Sequence, residues 1–119
     1  MQKINILGTE YKLITRKISE DECLKRNNFA GYCAEHLHEI VIADMSEEEY
    51  FVDMTEEEKE AYRKSVLRHE IIHAYLNESG LSANAMNSNG SWAKNEEMVD
   101  WMAIQFPKIA ETFLQLKII

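Results

Sequence analysis

The sequence is most constrained by residues 55–78, a long stretch that contains neither glycine nor proline. Thr55 is a favourable helix N-cap and Glu58 stands three residues later, which is the capping-box arrangement. Within the stretch, side chains at spacings of three and four share one helical face, namely Tyr62, Val66, His69, Ile72, His73 and Leu76. Ser79 and Gly80 are typical of a helix end. The stretch therefore predicts one long helix.

The residues before this helix predict a small β-sheet. Residues 3–7 and 11–15 carry apolar side chains on either side of a glycine-containing turn, which is typical of a β-hairpin. Residues 29–33 and 39–43 flank a polar turn and predict a second hairpin. The polar residues 19–28 between the hairpins are compatible with a short helix.

Beyond the long helix the sequence predicts further helical structure. A polar loop over residues 82–91 is followed by a helix over residues 92–105, and Pro107 is expected to open a third helix as its first residue. The predicted fold class is α+β, with a small antiparallel β-sheet followed by three helices. The length of 119 residues fits a single domain, residues 1–119.

Composition excludes several classes of function. The formal net charge is -8, from 13 basic and 21 acidic residues, and no basic stripe offsets it, so we expect no direct binding of nucleic acid. No apolar run approaches the ~20 residues of a membrane span. The first residues lack the features of a signal peptide. The two cysteines do not make a disulfide framework, so we expect a reducing, cytoplasmic location.

The long helix contains the sequence His69-Glu70-Ile71-Ile72-His73, which is an H-E-x-x-H motif. Positions i and i+4 project from one face of a helix, so both imidazoles can bind one metal ion. Glu70 is rotated by ~100° from His69 and can stand beside the ion without binding it. This is the place of a general base that activates water.

A catalytic zinc with two histidine ligands needs a third protein ligand and keeps one position open. Glu96 and Asp100 lie one helical turn apart at the start of the next predicted helix. We expect Glu96 to be the third ligand and Asp100 to accept a hydrogen bond from a ligand histidine, which would fix its tautomer. Glu97 competes with Glu96 for the ligand position. Cys33 has no ligand spacing to the motif.

The pattern H-E-x-x-H, a loop and then N-E-x-x-x-D resembles the zinc metallopeptidases with a glutamate as third ligand, a branch that includes thermolysin. The Gly31-Tyr32 pair before a strand and the sequence from Glu96 to Ala103 look more like the ImmA/IrrE family, over roughly residues 29–107. Members of that family are often encoded by phages and mobile elements, and some act with or cleave a helix-turn-helix repressor.

The resemblance implies a minimal zincin-like metallopeptidase fold. By this resemblance, the metal ligands would be His69 and His73, the general base would be Glu70, and the third ligand would be Glu96. Asp100 matches the orienting acid of the thermolysin-like pattern, whereas an amide is common there in the ImmA/IrrE pattern. The implied partner is a peptide or protein substrate, such as a repressor-type regulatory protein.

The sequence thus predicts a zinc-dependent peptidase in which Glu70 assists the attack of activated water on a peptide bond. Two alternatives stay open: a metal-containing module that binds a regulatory protein with little turnover, and a purely structural ion. Iron, manganese or cobalt would suit the same ligands. We expect the substrate to add to a sheet edge, and residues 39–43 are one candidate.

The group that stabilises the oxyanion of the reaction is open at this point. His36 and His38 lie in a polar turn, where exposure to solvent is the simpler interpretation, but one of them could serve as the donor. Tyr32 and Tyr75 allow the same two interpretations, with packing in the core favoured.

Overall fold

The computed structural model describes residues 1–82 and 92–119. In these ranges the strands are β1 (Gln2–Ile6), β2 (Thr9–Arg16), β3 (Gly31–Ala34) and β4 (Glu39–Ala43). The helices are α1 (Glu22–Asn27), α2 (Glu48–Phe51), α3 (Glu56–Glu78) and α4 (Glu96–Gln115). Short 3-10 turns cover Ile18–Glu20 and Trp92–Lys94. The predicted α+β class is confirmed. The predicted polar loop lies outside the described residues, except for Ser82.

The four strands form one sheet in the order β1-β2-β4-β3. Both predicted hairpins are present, because β1 pairs antiparallel with β2 and β3 pairs antiparallel with β4. The sheet is nevertheless mixed rather than wholly antiparallel as expected. The chain passes through α1 and β3 before β4 inserts beside β2, and this connection makes β2 and β4 parallel.

Strand β4 lies in the centre of the sheet and is buried on both faces. Ile40 and Ile42 pack in a cluster with Ala74 of α3. Val41 and Ala43 point to the opposite face, in a cluster with side chains of α1 and α2. The expectation that residues 39–43 form the substrate-binding edge is therefore wrong. An unbroken apolar run is typical of a strand covered on both faces, and the edges of the sheet belong to β1 and β3.

Helix α3 begins and ends as the sequence predicts. Thr55 accepts a hydrogen bond from the backbone N–H of Glu58, and the Glu58 carboxylate accepts one from the N–H of Thr55, which completes the capping box. The helix ends at Glu78 with Ser79 as its C-cap, and Gly80 follows with a φ of 85°, in the left-handed region that favours glycine.

Gly31 allows α3 to pack closely on β3. A Cβ added at Gly31 would lie 2.7 Å from Cγ1 of Val66 and 3.0 Å from the carbonyl oxygen of Val41. Any larger residue would therefore push the helix away from the strand. Val66 lies one turn before His69, so this contact sets the height of the metal-binding face over the sheet.

The predicted break at Pro107 is wrong, since α4 continues through it to Gln115. A proline lacks the N–H that would donate to the carbonyl four residues earlier, which here belongs to Ala103. Nε of Arg68 on α3 donates to that carbonyl at 3.1 Å. A contact from a neighbouring helix thus replaces the missing bond. The predicted third helix is the second half of α4.

Candidate metal centre

The two histidines of the motif lie on the face of α3 that meets α4. Nε2 of His69 and Nε2 of His73 are 3.1 Å apart, as expected for side chains one helical turn apart that turn toward a common point. Both side chains are largely covered, with 20% and 17% of their surface exposed. The pair is therefore held by packing on one side and open to solvent on the other.

The start of α4 brings a carboxylate to these two nitrogens. Asn95 caps the helix by accepting a hydrogen bond from the N–H of Met98, which places Glu96 in the first turn. One oxygen of Glu96 lies 3.0 Å from Nε2 of His69, and the other lies 3.0 Å from Nε2 of His73. The two helices thus converge on one small triangle of donor atoms.

Asp100 occupies the opposite side of the His69 ring. Its Oδ1 lies 2.7 Å from Nδ1 of His69, so that Nδ1–H donates to the carboxylate. This hydrogen bond places the lone pair of His69 on Nε2, which faces Glu96 and His73. The ring therefore presents its basic nitrogen to the triangle.

Glu70 is buried beside the triangle rather than in it. Its side chain is only 9% exposed, and Oε1 lies 4.0 Å from Nε2 of His69. Burial raises the pKa of the Glu70 carboxyl to about 7; the charge of His69 opposes this rise, and the charges of Glu96 and Asp100 add to it. A carboxyl with such a pKa can both take and release a proton near neutral pH.

His69, Glu70 and His73 form a group that could hold a metal ion. Glu96 is better placed than Glu70 as the carboxylate ligand, because it touches both imidazoles at 3.0 Å. Donors 3.0–3.1 Å apart are close to the ~3.3 Å that separates tetrahedral ligands at ~2.0–2.1 Å from zinc. Glu97 follows Glu96 on α4, but the contacts to the two imidazoles are those of Glu96. The residues present therefore fit a divalent cation.

The donor atoms of the triangle also suit a cation electrostatically. Burial lowers the pKa of the His73 imidazole, which favours its neutral form, while nearby Glu96 opposes this effect. The two ring nitrogens and the Glu96 carboxylate lie 3.0–3.1 Å apart, a spacing that a shared proton or a bound metal ion can bridge. A divalent cation satisfies all three donors at once.

The triangle opens into a cleft of about 500 Å³ between α3, the start of α4 and β3. The residues that line it on the strand side are Phe29, Gly31, Tyr32, Cys33 and Glu35, and Lys94 and Glu96 line it on the α4 side. Since β3 is an edge strand of the sheet, its free backbone groups face this cleft.

The candidates for the oxyanion donor fall in different places. Tyr75 lines a separate groove between α3 and α4. Nε2 of His38 lies 3.5 Å from Glu78. Tyr32 lines the cleft, but its hydroxyl donates to Asp21 at 2.8 Å. Sequence reasoning missed Lys94, a cationic side chain of the cleft two residues before Glu96, because no local pattern marks it.

Comparison with known proteins finds no matching family model, no matching curated protein and no matching solved structure. The resemblance to the ImmA/IrrE family therefore rests on the motif residues. None of the helices in the part of the chain that the structure describes is both long and apolar enough to cross a bilayer.

Proposed function

We propose that this protein is a zinc-dependent peptidase of the H-E-x-x-H type. The observation that carries the proposal is the convergence of two imidazole nitrogens and one carboxylate, 3.0–3.1 Å apart, beside the buried carboxyl of Glu70. Two histidines with one acidic ligand and an open side are the donor set of catalytic rather than structural zinc.

The proposed ligands are His69, His73 and Glu96, with His69 oriented by Asp100. A zinc ion bound there would supply Lewis acidity, which polarises a peptide carbonyl and lowers the pKa of water toward ~7. The cleft on the open side of the ligands argues against a purely structural ion, because structural sites are closed.

Glu70 is the proposed general base. It takes a proton from the attacking water as the new C–O bond forms, and it then gives this proton to the amine nitrogen as the C–N bond breaks. The balance is one water consumed and one peptide bond hydrolysed, with Glu70 returned to its starting state. The cationic Lys94 is our candidate for contact with the carbonyl oxygen, where negative charge develops.

The substrate is proposed to bind as an additional strand along β3. Its free edge borders the cleft, and the backbone N–H and C=O groups there can pair with any extended peptide. Main-chain pairing holds the substrate beside the ligands and leaves side-chain preference to the pockets of the cleft. A repressor-type regulatory protein, as the resemblance to the ImmA/IrrE family implies, is the proposed substrate class.

The test compares wild type with Glu70→Gln, which keeps the size of the side chain and removes the base. We expect one zinc per chain in both proteins and a rate of peptide cleavage at least about 10²-fold lower in the variant. Cleavage would be followed by mass spectrometry of a mixed peptide library. Cleavage by Glu70→Gln at the wild-type rate would remove Glu70 from the proposed role.

A metal-containing binding module is the second candidate. The observation that favours it is the apolar surface of α4, where the side chains of Trp101, Ile104 and Leu114 are at least half exposed. Such a surface is typical of a helix that contacts a partner. Stoichiometric binding of a regulatory protein by the zinc form, without any cleavage, would favour this function over the peptidase.

A further inference from the structure

A second pocket lies beside the metal cleft, at the end toward the N-terminus of α3. It has a volume of about 410 Å³, and its larger side chains are Ile18, Phe29, Tyr50, Phe51, Met54 and Tyr62. We call it the aromatic pocket. None of the described residues that line it is charged, since Asn28 and Ala30 complete the lining. Its volume lies within the ~300–1,000 Å³ of pockets that bind small molecules, so it has room for a large side chain.

The aromatic pocket adjoins the metal cleft. Phe29 lines both, so that its ring stands at the boundary between them. Tyr62 is on the same helical stripe as His69 and His73, since the three residues follow one another at spacings of seven and four. A peptide that extended from the metal centre along β3 toward Phe29 would therefore reach this pocket.

Three of the four aromatic side chains of the pocket are open to a ligand, whereas Phe51 is buried in the core. Phe29 is 49% exposed, Tyr50 is 37% exposed and Tyr62 is 42% exposed. Each belongs to a different segment: the approach to β3, helix α2 and helix α3. Their partly exposed rings can surround a guest ring with edge-to-face contacts, and Met54 can add a sulfur contact.

The position of the pocket defines which residue of a substrate would reach it. Tyr62 lies seven residues before His69, a rise of ~10.5 Å along the helix. An extended peptide advances ~3.3–3.4 Å per residue, so it covers this rise in about three residues. We propose that the aromatic pocket binds an aromatic side chain of the peptide substrate at the third residue from the cleaved bond. This inference rests on the proposed peptidase function.

The test uses peptide hydroxamates, whose chelating group anchors to zinc and fixes the register of the peptide without any cleavage. Alanine tetrapeptides with one phenylalanine at each position in turn are made with the hydroxamate at either end. They are titrated calorimetrically against the zinc-loaded full chain. In one of the two series we expect phenylalanine at the third position to bind at least about tenfold more tightly than alanine, and lysine there to give no gain.

The variants separate the aromatic pocket from the rest of the surface. Tyr62→Ala should reduce the phenylalanine advantage to less than about threefold, and Tyr62→Phe should keep it. Tyr75→Ala is the matched control, because Tyr75 is the same residue type on the same helix, is also 42% exposed and lines the other groove. Tyr50→Ala independently removes a second ring of the aromatic pocket, from α2. Circular dichroism checks that each variant is folded.

Three results would each overturn the inference. Phenylalanine could bind with equal affinity at all four positions, its advantage over alanine could survive both Tyr62→Ala and Tyr50→Ala, or the hydroxamates could fail to bind. The proposed function fails in a different way. If the zinc-loaded wild type prefers phenylalanine at the third position but cleaves no peptide, the assignment of the aromatic pocket stands and the proposed peptidase function is wrong.

Discussion

The carboxylate of Asp100 lies 2.7 Å from Nδ1 of His69, on the side of the ring opposite to the nitrogen that faces Glu96. The two acidic residues are one turn apart on α4 and contact the two ring nitrogens of the imidazole. His69 belongs to α3, and its position and tautomer are thus fixed by side chains of α4. The pairing ties the geometry of the candidate metal centre to the packing of α4 on α3.

We expect Asp100→Asn to weaken zinc binding by about 10- to 100-fold, because the amide no longer holds Nδ1–H with a charge-assisted bond. Competition with a fluorescent zinc chelator measures the affinity. Glu97→Gln is the matched control, since it removes a neighbouring carboxylate of α4 and should leave the affinity unchanged. Equal effects of the two variants would mean that only the net charge of the helix matters.

Gly31→Ala should lower the free energy of unfolding by about 1–3 kcal/mol, because the added methyl group overlaps Val66 and the backbone of β4. Urea denaturation followed by circular dichroism measures it. In a double-mutant cycle, Val66→Ala should cost less in the Gly31→Ala background than in wild type, since it removes one of the two clashes. If the changes in unfolding free energy of the two single variants simply add, residues 31 and 66 do not clash in the Gly31→Ala variant.

Arg68→Met should destabilise the protein by about 1–3 kcal/mol, because it leaves the buried carbonyl of Ala103 without its donor. The loss should be smaller in a Pro107→Ala background, where residue 107 regains an N–H for the same carbonyl. Arg63→Met is the control. Its guanidinium pairs with the exposed Glu60 and should contribute less than about 1 kcal/mol. Thermal unfolding of wild type, the three single variants and the Arg68→Met/Pro107→Ala double variant gives the comparison.

The acid sensitivity of the fold should depend on Asp21. Burial alone would raise the pKa of this carboxyl, but hydrogen bonds from the N–H of Leu24, the hydroxyl of Tyr32 and the guanidinium of Arg16 outweigh it and lower the pKa below its usual value. A lowered folded-state pKa stabilises the protein above the unfolded pKa of ~3.9, and this contribution is lost as the pH falls through the folded pKa.

Asp21→Asn should therefore be less stable than wild type by about 1–2 kcal/mol near neutral pH, and the difference should shrink below pH ~4. Denaturant titrations from pH 2 to pH 7 test this. Tyr32→Phe removes one of several donors to the Asp21 carboxylate and should reduce the pH dependence only in part. A difference between Asp21→Asn and wild type that stays constant with pH would contradict this assignment.

Local sequence signals predicted much of this fold, because their causes are local. The capping box at Thr55 and the turn after Ile6 need only residues close in the chain. The packing of β4 between two layers and the continuation of α4 through Pro107 depend on distant partners. For Pro107 the deciding partner is Arg68, 39 positions earlier in the chain, which no local pattern contains.

The ligand residues of the candidate site could also be predicted from the sequence, because their spacing is a local signal. The spacing of His69 and His73 puts both on one face of any helix, and Glu96 with Asp100 repeats that spacing. The residues that form the walls of the cleft could not be predicted from the sequence. Phe29 and Lys94 reach it only because β3 is an edge strand and because the turn before α4 folds over α3.

The most direct test of the account is the zinc content of the purified full chain for wild type, Glu96→Ala and Glu97→Ala, measured by atomic emission after dialysis against a weak chelator. We predict about one zinc per chain for wild type and for Glu97→Ala, and loss of zinc from Glu96→Ala, because the carboxylate that touches both imidazoles is that of Glu96. Zinc retained by Glu96→Ala at the wild-type level, or lost equally from Glu97→Ala, would contradict the proposed ligand set.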